Sequence, residues 1–124
     1  MKIIQHESMP KSNGHYSQCI EHKGILYLSG QLPFNPEDRS LPEGIEAQTL
    51  QVLKNVQQIL NAAGSNINQI LRVRLYIPDV KLWDQVNHVY SEFFGEHRPA
   101  RVVIPTRELH FGCLIEVETT AYID

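Results

Sequence analysis

Glu116 and Glu118 stand two residues apart in a segment, Cys113 to Ile123, that alternates in polarity, and Arg101 follows Pro99 and Ala100 at the head of another apolar segment. In a strand, residues two apart share a face and lie about 6.6 Å from each other. Carboxylates so placed can do acid–base work, and an arginine can hold an anion. The same pattern also fits a solvated sheet face with a charge at its rim, and spacing alone does not choose. Other chemistries lose their usual support. The sequence contains no P-loop, GxGxxG, HExxH, CxxC or GxSxG motif. The six histidines lack the i, i+4 spacing of a helical metal site, so no metal site is expected. Cys19 and Cys113 are too few and too far apart for a disulfide framework or a thiolate cluster. They read as inert, buried thiols.

The elements that must position these residues follow from Gly and Pro punctuation and from hydrophobic period. Ile25 to Ser29, between Gly24 and Gly30, reads as a buried strand, with Tyr16 to Glu21 as its hairpin partner through His22-Lys23-Gly24. Pro33, Pro36 and Pro42 make the stretch from Gln31 to Gly44 a loop. From Ile45 to Ala63, the residues Ile45, Leu53, Val56, Leu60 and Ala63 recur at helical spacing, with Leu50 and Ile59 beside them. Gln48, Gln51, Lys54, Asn55 and Gln58 take much of the other side, and Gly64 stops the helix. Leu71, Val73, Leu75 and Ile77 alternate with Arg72, Arg74 and Tyr76 as a strand with one buried face, ended by Pro78. Asp79 can cap a second helix whose stripe is Leu82, Val86, Val89 and Phe93, stopping at Gly95. Ala100 to Ile104 and Cys113 to Ile123 read as the last two strands. The order is ββαβαββ, an α+β arrangement with two helices on one face of a mixed sheet. The other face lacks a cover from the same chain, so a homo-oligomer is expected, with Leu114, Tyr122 and Tyr76 buried against other subunits.

The 124 residues fit one domain, 1–124, and the 42% hydrophobic and 20% charged fractions are those of a globular protein. No stretch approaches the ~20 apolar residues of a membrane-spanning helix, and the N-terminus lacks an apolar signal core, so a cytoplasmic protein is expected. A net charge of −3 gives no general attraction for phosphate backbones, which argues against nucleic acid as the main partner.

Six motifs in order carry a resemblance over nearly the whole chain. Gly14-His15-Tyr16-Ser17-Gln18 is similar to a Gly-Pro-Tyr-Ser-Gln segment, and Ser29-Gly30-Gln31-Leu32-Pro33 to a Ser-Gly-Gln-hydrophobic-Pro signature. Gln48 to Gly64 and Val86-Asn87-His88-Val89-Tyr90 to Phe94 resemble two helix motifs; Pro99-Ala100-Arg101 and Ile115-Glu116-Val117-Glu118 complete the set. Together they resemble the Rid, or YjgF-like, family of reactive-intermediate deaminases. The resemblance implies a chorismate-mutase-like fold, assembled as a homotrimer whose sheets form a central barrel with clefts between subunits. It implies an enzyme that hydrolyses 2-imino acids, such as the 2-iminopropanoate formed from 2-aminoacrylate, to 2-keto acids and ammonia. Arg101 would bind the substrate carboxylate and Glu116 would position or activate water, without metal or organic cofactor. Tyr16, Ser29, Gly30 and Asn87 would lie near the substrate.

The sequence departs from that pattern at His15, where proline is usual, at Val102 and Val103 after the arginine, in a short connection from Phe94 to Pro99, and in Leu109-His110-Phe111-Gly112, which lacks a Leu-Pro pair. A second reading is a non-catalytic, regulatory trimer that holds a small carboxylate in its interface clefts. Retention of Glu116 counts against it. A third, RNA cleavage or translational inhibition, is disfavoured by the negative net charge and the lack of a basic, aromatic surface.

Overall fold

The computed structural model describes residues 1–9 and 11–124. Six strands and two helices follow in order: β1 (Lys2–Ile4), β2 (Cys19–His22), β3 (Ile25–Gln31), α1 (Ile45–Ala62), β4 (Ile70–Ile77), α2 (Trp83–Phe94), β5 (Ala100–Pro105) and β6 (Glu116–Tyr122). The strands form one mixed sheet, β1-β2-β3-β6-β4-β5, in which only β4 and β5 run parallel. The α+β, YjgF-like order expected from the sequence is present, with one strand more. Three residues at the sheet edge are too few for an alternating pattern to show, so β1 escaped prediction.

Local chemistry sets the joints. Lys23 (φ 52°) and Gly24 (φ 81°) both adopt left-handed backbone, as a two-residue hairpin turn between β2 and β3 requires. Tyr16 to Gln18 precede β2 and stay outside it. After α1, the Ser65 amide donates to the Leu60 carbonyl at 2.8 Å and the Gly64 amide to the Asn61 carbonyl at 3.2 Å, the paired bonds that close a helix on a left-handed glycine. Asp79 caps a short 3₁₀ turn, Val80–Leu82, which leads into α2, by accepting from the Lys81 amide at 2.9 Å.

Both helices lie on one face of the sheet, burying Val52, Leu53, Val56, Ile59 and Leu60 of α1 with Val86 of α2 against Leu26, Val73, Leu75, Ile115 and Val117. The alternation read in β6 holds: Val117, Thr119 and Ala121 are buried, while Glu116, Glu118, Thr120 and Tyr122 are half-buried on the opposite face. Two helical details differ from the sequence reading. Gln48, placed among the polar residues of α1, is only 3% exposed. Its amide donates to the Pro42 carbonyl at 3.0 Å, and its carbonyl accepts from the Leu114 amide at 2.8 Å. In α2 the fully buried positions are Val86, Tyr90 and Phe94, while Val89 and Phe93 are half-buried: two aromatic rings take the core and turn the stripe by one position. Leu114 packs partly against the core of its own chain. On the face away from the helices Tyr27 and Val102 are exposed. No helix of the described residues is long and apolar enough to cross a membrane.

Candidate active site

Arg101 lies on the edge strand β5, paired with Val73 of β4, and therefore on the helix side of the sheet. Trp83, Asn87 and Tyr90 lie at i, i+4 and i+7 on α2, a spacing that puts them on one side of a helix, and all three meet Arg101. The guanidinium lies 5.5 Å from the Trp83 ring centroid and 4.7 Å from that of Tyr90. Its Nη1 donates to Asn87 Oδ1 at 2.9 Å. Cation–π contact and one hydrogen bond fix the fork and leave most of its five donors free. No carboxylate of the described residues pairs with it. A cleft of about 380 Å³ opens there, lined by Asn87, Tyr90, Phe94, His97, Arg98 and Arg101. Burial pushes the Tyr90 phenol up to about 12, against a smaller opposing pull from Arg101, so its ring stays neutral beneath the cation.

Glu116 sits on the other face, where β6 pairs it with Tyr76 of β4. The pair of carboxylates seen in the sequence is not symmetric. Glu118 accepts from the Tyr76 hydroxyl at 2.9 Å and faces Arg74 at 3.5 Å. Glu116 has neither partner. Burial pushes its carboxyl above the usual carboxylate range; the charge of His110 pulls it back and that of Glu118 pushes it further. A carboxylate held above its ordinary pKa is a stronger base than a free one.

Gly30 makes room for this carboxylate. Between the pairs Leu28↔Thr119 and Gln31↔Val117, two residues of β3 oppose one of β6, so Ser29 and Gly30 form a bulge. A β-carbon on Gly30 would collide with the Glu116 carboxylate. Ser29 Oγ donates to the Ser17 carbonyl at 2.6 Å, and the Gln31 amide donates to Gln18 Oε1 at 2.8 Å and to the Ser29 carbonyl at 3.0 Å. These bonds tie the bulge to the segment carrying Tyr16, whose side chain is half-exposed. Tyr16 and Gly30 line a second cavity, of about 400 Å³.

The six residues picked from the sequence thus fall into two groups. Arg101 and Asn87 meet on the helix side of the edge strand; Glu116 lies on the other face against Gly30, whose bulge with Ser29 is tied to the segment that carries Tyr16. Glu116 is two strands from β5, roughly 10 Å of sheet, and the sheet itself stands between the groups. One chain does not bring them together. Trp83 and Tyr90 were not singled out from the sequence, although their spacing from Asn87 was the available signal. Both thiols are buried, and burial pushes Cys19 up to about 11 and raises Cys113 as well.

The family model described as Endoribonuclease L-PSP matches residues 6–123. A RutC family protein of Pyrococcus horikoshii is 40% identical over 122 residues, covering 98% of this chain and 97% of that one. The crystal structure of RidA from an Antarctic Psychrobacter is 33% identical with a TM-score of 0.93, covering 99% and 100% of the two chains. That of Escherichia coli TdcF with bound serine is 29% identical, also with a TM-score of 0.93, covering 100% of each chain. With its motifs, its sheet order and these relatives in agreement, the chain belongs to the Rid/YjgF/RutC family.

Proposed function

We propose that the protein is a cytoplasmic imine deaminase that hydrolyses 2-imino acids to 2-keto acids and ammonia, in clefts between the subunits of a homotrimer. The observation that carries this reading is the division of the site. A fixed, unpaired guanidinium on one side of the sheet and an unpaired, pKa-raised carboxylate on the other each lack what the other supplies. A second copy of the chain is the economical source of the missing half, because oligomer interfaces repeat the same surfaces.

In such a cleft Arg101 holds the substrate carboxylate through two parallel N–H donors, with Asn87 orienting the fork. Glu116 takes a proton from water as the oxygen adds to the carbon of the protonated imine, giving a neutral tetrahedral carbinolamine. The same carboxyl then returns that proton to nitrogen and accepts the hydroxyl proton as the C–N bond breaks, so ammonia leaves as the carbonyl forms and Glu116 passes the remaining proton to solvent. The Ser29 hydroxyl, whose hydrogen is committed to the Ser17 carbonyl, is left as an acceptor suited to the N–H groups of the substrate. Imines are already electrophilic, so positioning plus general-base help worth roughly 10²- to 10⁴-fold suffices without a cofactor.

The test is the rate of keto-acid release from freshly generated imino acids, for the wild type, Arg101→Ala and Glu116→Gln. Acceleration by the wild type and its loss in both variants is the expected result; no acceleration of any imine overturns the reading. An equimolar mixture of the two variants, unfolded and refolded together, gives the second check. Each site draws its halves from different chains, so about one quarter of the sites regain both sound halves and activity returns to about that level. A ligand-binding, regulatory trimer is the alternative, favoured by the relative whose structure contains bound serine.

A further inference from the structure

The cavity beside Tyr16 and Gly30 has a wall that the hydrolysis does not use. Phe34 and Phe111 meet across it edge to face, with ring centroids 5.7 Å apart and planes at 76°. Phe111 is the residue that most departs from expectation. It is 75% exposed. It also adopts left-handed backbone (φ 60°, ψ 23°) inside the 3₁₀ turn His110–Gly112, a conformation that bulky residues rarely take. Outliers of this kind are kept where surrounding structure holds them, and they concentrate at binding sites. Here the Cys113 amide closes the turn on the His110 carbonyl at 3.1 Å, and Gly112 follows at φ 70°. The opposite ring is held from α1, where the Asn55 amide donates to the carbonyls of Leu32 (3.1 Å) and Phe34 (2.8 Å).

The polar groups around these rings largely satisfy one another. Both Asn55 donors go to loop carbonyls, and the Gln31 amide goes to Gln18 and Ser29. Besides aromatic surface, the lining offers a ligand the Asn13 amide, the Tyr16 hydroxyl and the exposed cations Lys11 and Arg39. At about 400 Å³ the cavity lies within the roughly 300–1,000 Å³ of ligand pockets, and a three-carbon imino acid would fill little of it.

We propose that Phe34 and Phe111 form the side-chain pocket of the site and that imino acids with large apolar or aromatic side chains are its substrate class. The proposal rests on the deaminase reading above, with Tyr16 and Gly30 shared between the reacting centre and the pocket. Phe111 and Phe34 are specificity-determining residues: they contact the side chain and leave the imine carbon to Glu116.

The experiment compares kcat/KM for imines generated by an amino-acid oxidase from alanine, leucine, phenylalanine and glutamate. The wild type is expected to prefer the phenylalanine- and leucine-derived imines over the alanine-derived one. Phe111→Ala lowers that preference by at least about tenfold, the loss expected when the substrate side chain gives up its contact with one aromatic ring, and Phe111→Leu restores part of it. A preference for the alanine-derived imine, or a preference unmoved by Phe111→Ala, overturns the proposal. Preference for the glutamate-derived imine also overturns it and transfers the role to Lys11 and Arg39. A binding titration with phenylpyruvate and pyruvate separates this inference from the deaminase reading. If no imine is hydrolysed, yet phenylpyruvate binds at least about tenfold tighter than pyruvate and loses that advantage in Phe111→Ala, the aromatic pocket stands and the hydrolysis falls.

Discussion

Glu116 and Glu118 are indistinguishable in the sequence, two like residues on one face of one strand, and their neighbours make them different. Tyr76 and Arg74, both on β4, pair with Glu118 and leave Glu116 unpaired. Which strand lies beside β6 is a matter of sheet order, so strand spacing does not make that distinction; the resemblance of Ile115-Glu116-Val117-Glu118 to the family motif is what pointed to Glu116. Because burial raises the Glu116 pKa, the folded chain holds this proton more tightly than the unfolded chain does. The stability this contributes is complete below the unfolded value of about 4.3 and is lost as pH rises through the raised folded value. Glu116→Gln removes that loss. Its melting temperature is therefore expected to exceed that of the wild type at pH 7, and the gap to shrink as the pH is lowered toward 4, by calorimetry across that range. The acid limb of the wild-type kcat/KM profile is expected above the ordinary carboxylate range, with the rate rising as Glu116 loses its proton. Gly30→Ala probes the same carboxylate sterically. Gly30 has no left-handed backbone to disturb, and the obstruction is a side chain that can swing away. The variant is expected to melt within a few degrees of the wild type and to lose most of its imine hydrolysis. Arg101, like Glu116, is legible through a motif, Pro-Ala-Arg, whereas its aromatic seat on Trp83 and Tyr90 needed the fold.

The helices and the long strands were written plainly in hydrophobic period. The alternation of Cys113 to Ile123 fixed which side of β6 meets the core, and the spacing of Leu53, Val56 and Leu60 did the same for α1. Features that depend on a partner element were not visible. The bulge at Ser29 and Gly30 exists only against β6, and β1 only against β2. The α2 stripe runs from Val86 through Tyr90 and Phe94 rather than Val89 and Phe93, because helical period does not separate adjacent positions when both carry apolar residues. Gln48 shows how a polar residue at a helical position can still be interior. It bridges the loop before α1 to the chain entering β6. Gln48→Leu would leave the Leu114 amide and the Pro42 carbonyl without their partner, at about 1–3 kcal/mol each where water cannot replace it. A urea titration is expected to show a lower midpoint with an unchanged slope.

The molecule presents one sheet face that its own helices do not cover, with Tyr27 and Val102 exposed on it and Arg74 beside Val102 across the β4–β5 pair. If that face lines the middle of the proposed trimer, a charge placed there breaks the assembly without touching Arg101 or Glu116. Val102→Glu is expected to give the mass of a single chain by light scattering, near-wild-type circular dichroism and no hydrolysis; a trimer with full activity would show that the face is free. The sequence could announce the uncovered face, since its two helices are spent on the opposite side and Tyr76 and Tyr122 stand among the polar residues left, but no run of residues encodes how many copies close upon it. The opposite placement of Arg101 and Glu116 reaches beyond the test tube. In the proposed trimer, a chain damaged in one half would lend its sound half to a neighbour. A cell carrying two defective alleles of this sequence, one altered at Arg101 and one at Glu116, would keep a function that neither allele supports alone, and a genetic cross would score the two lesions as if they lay in different genes.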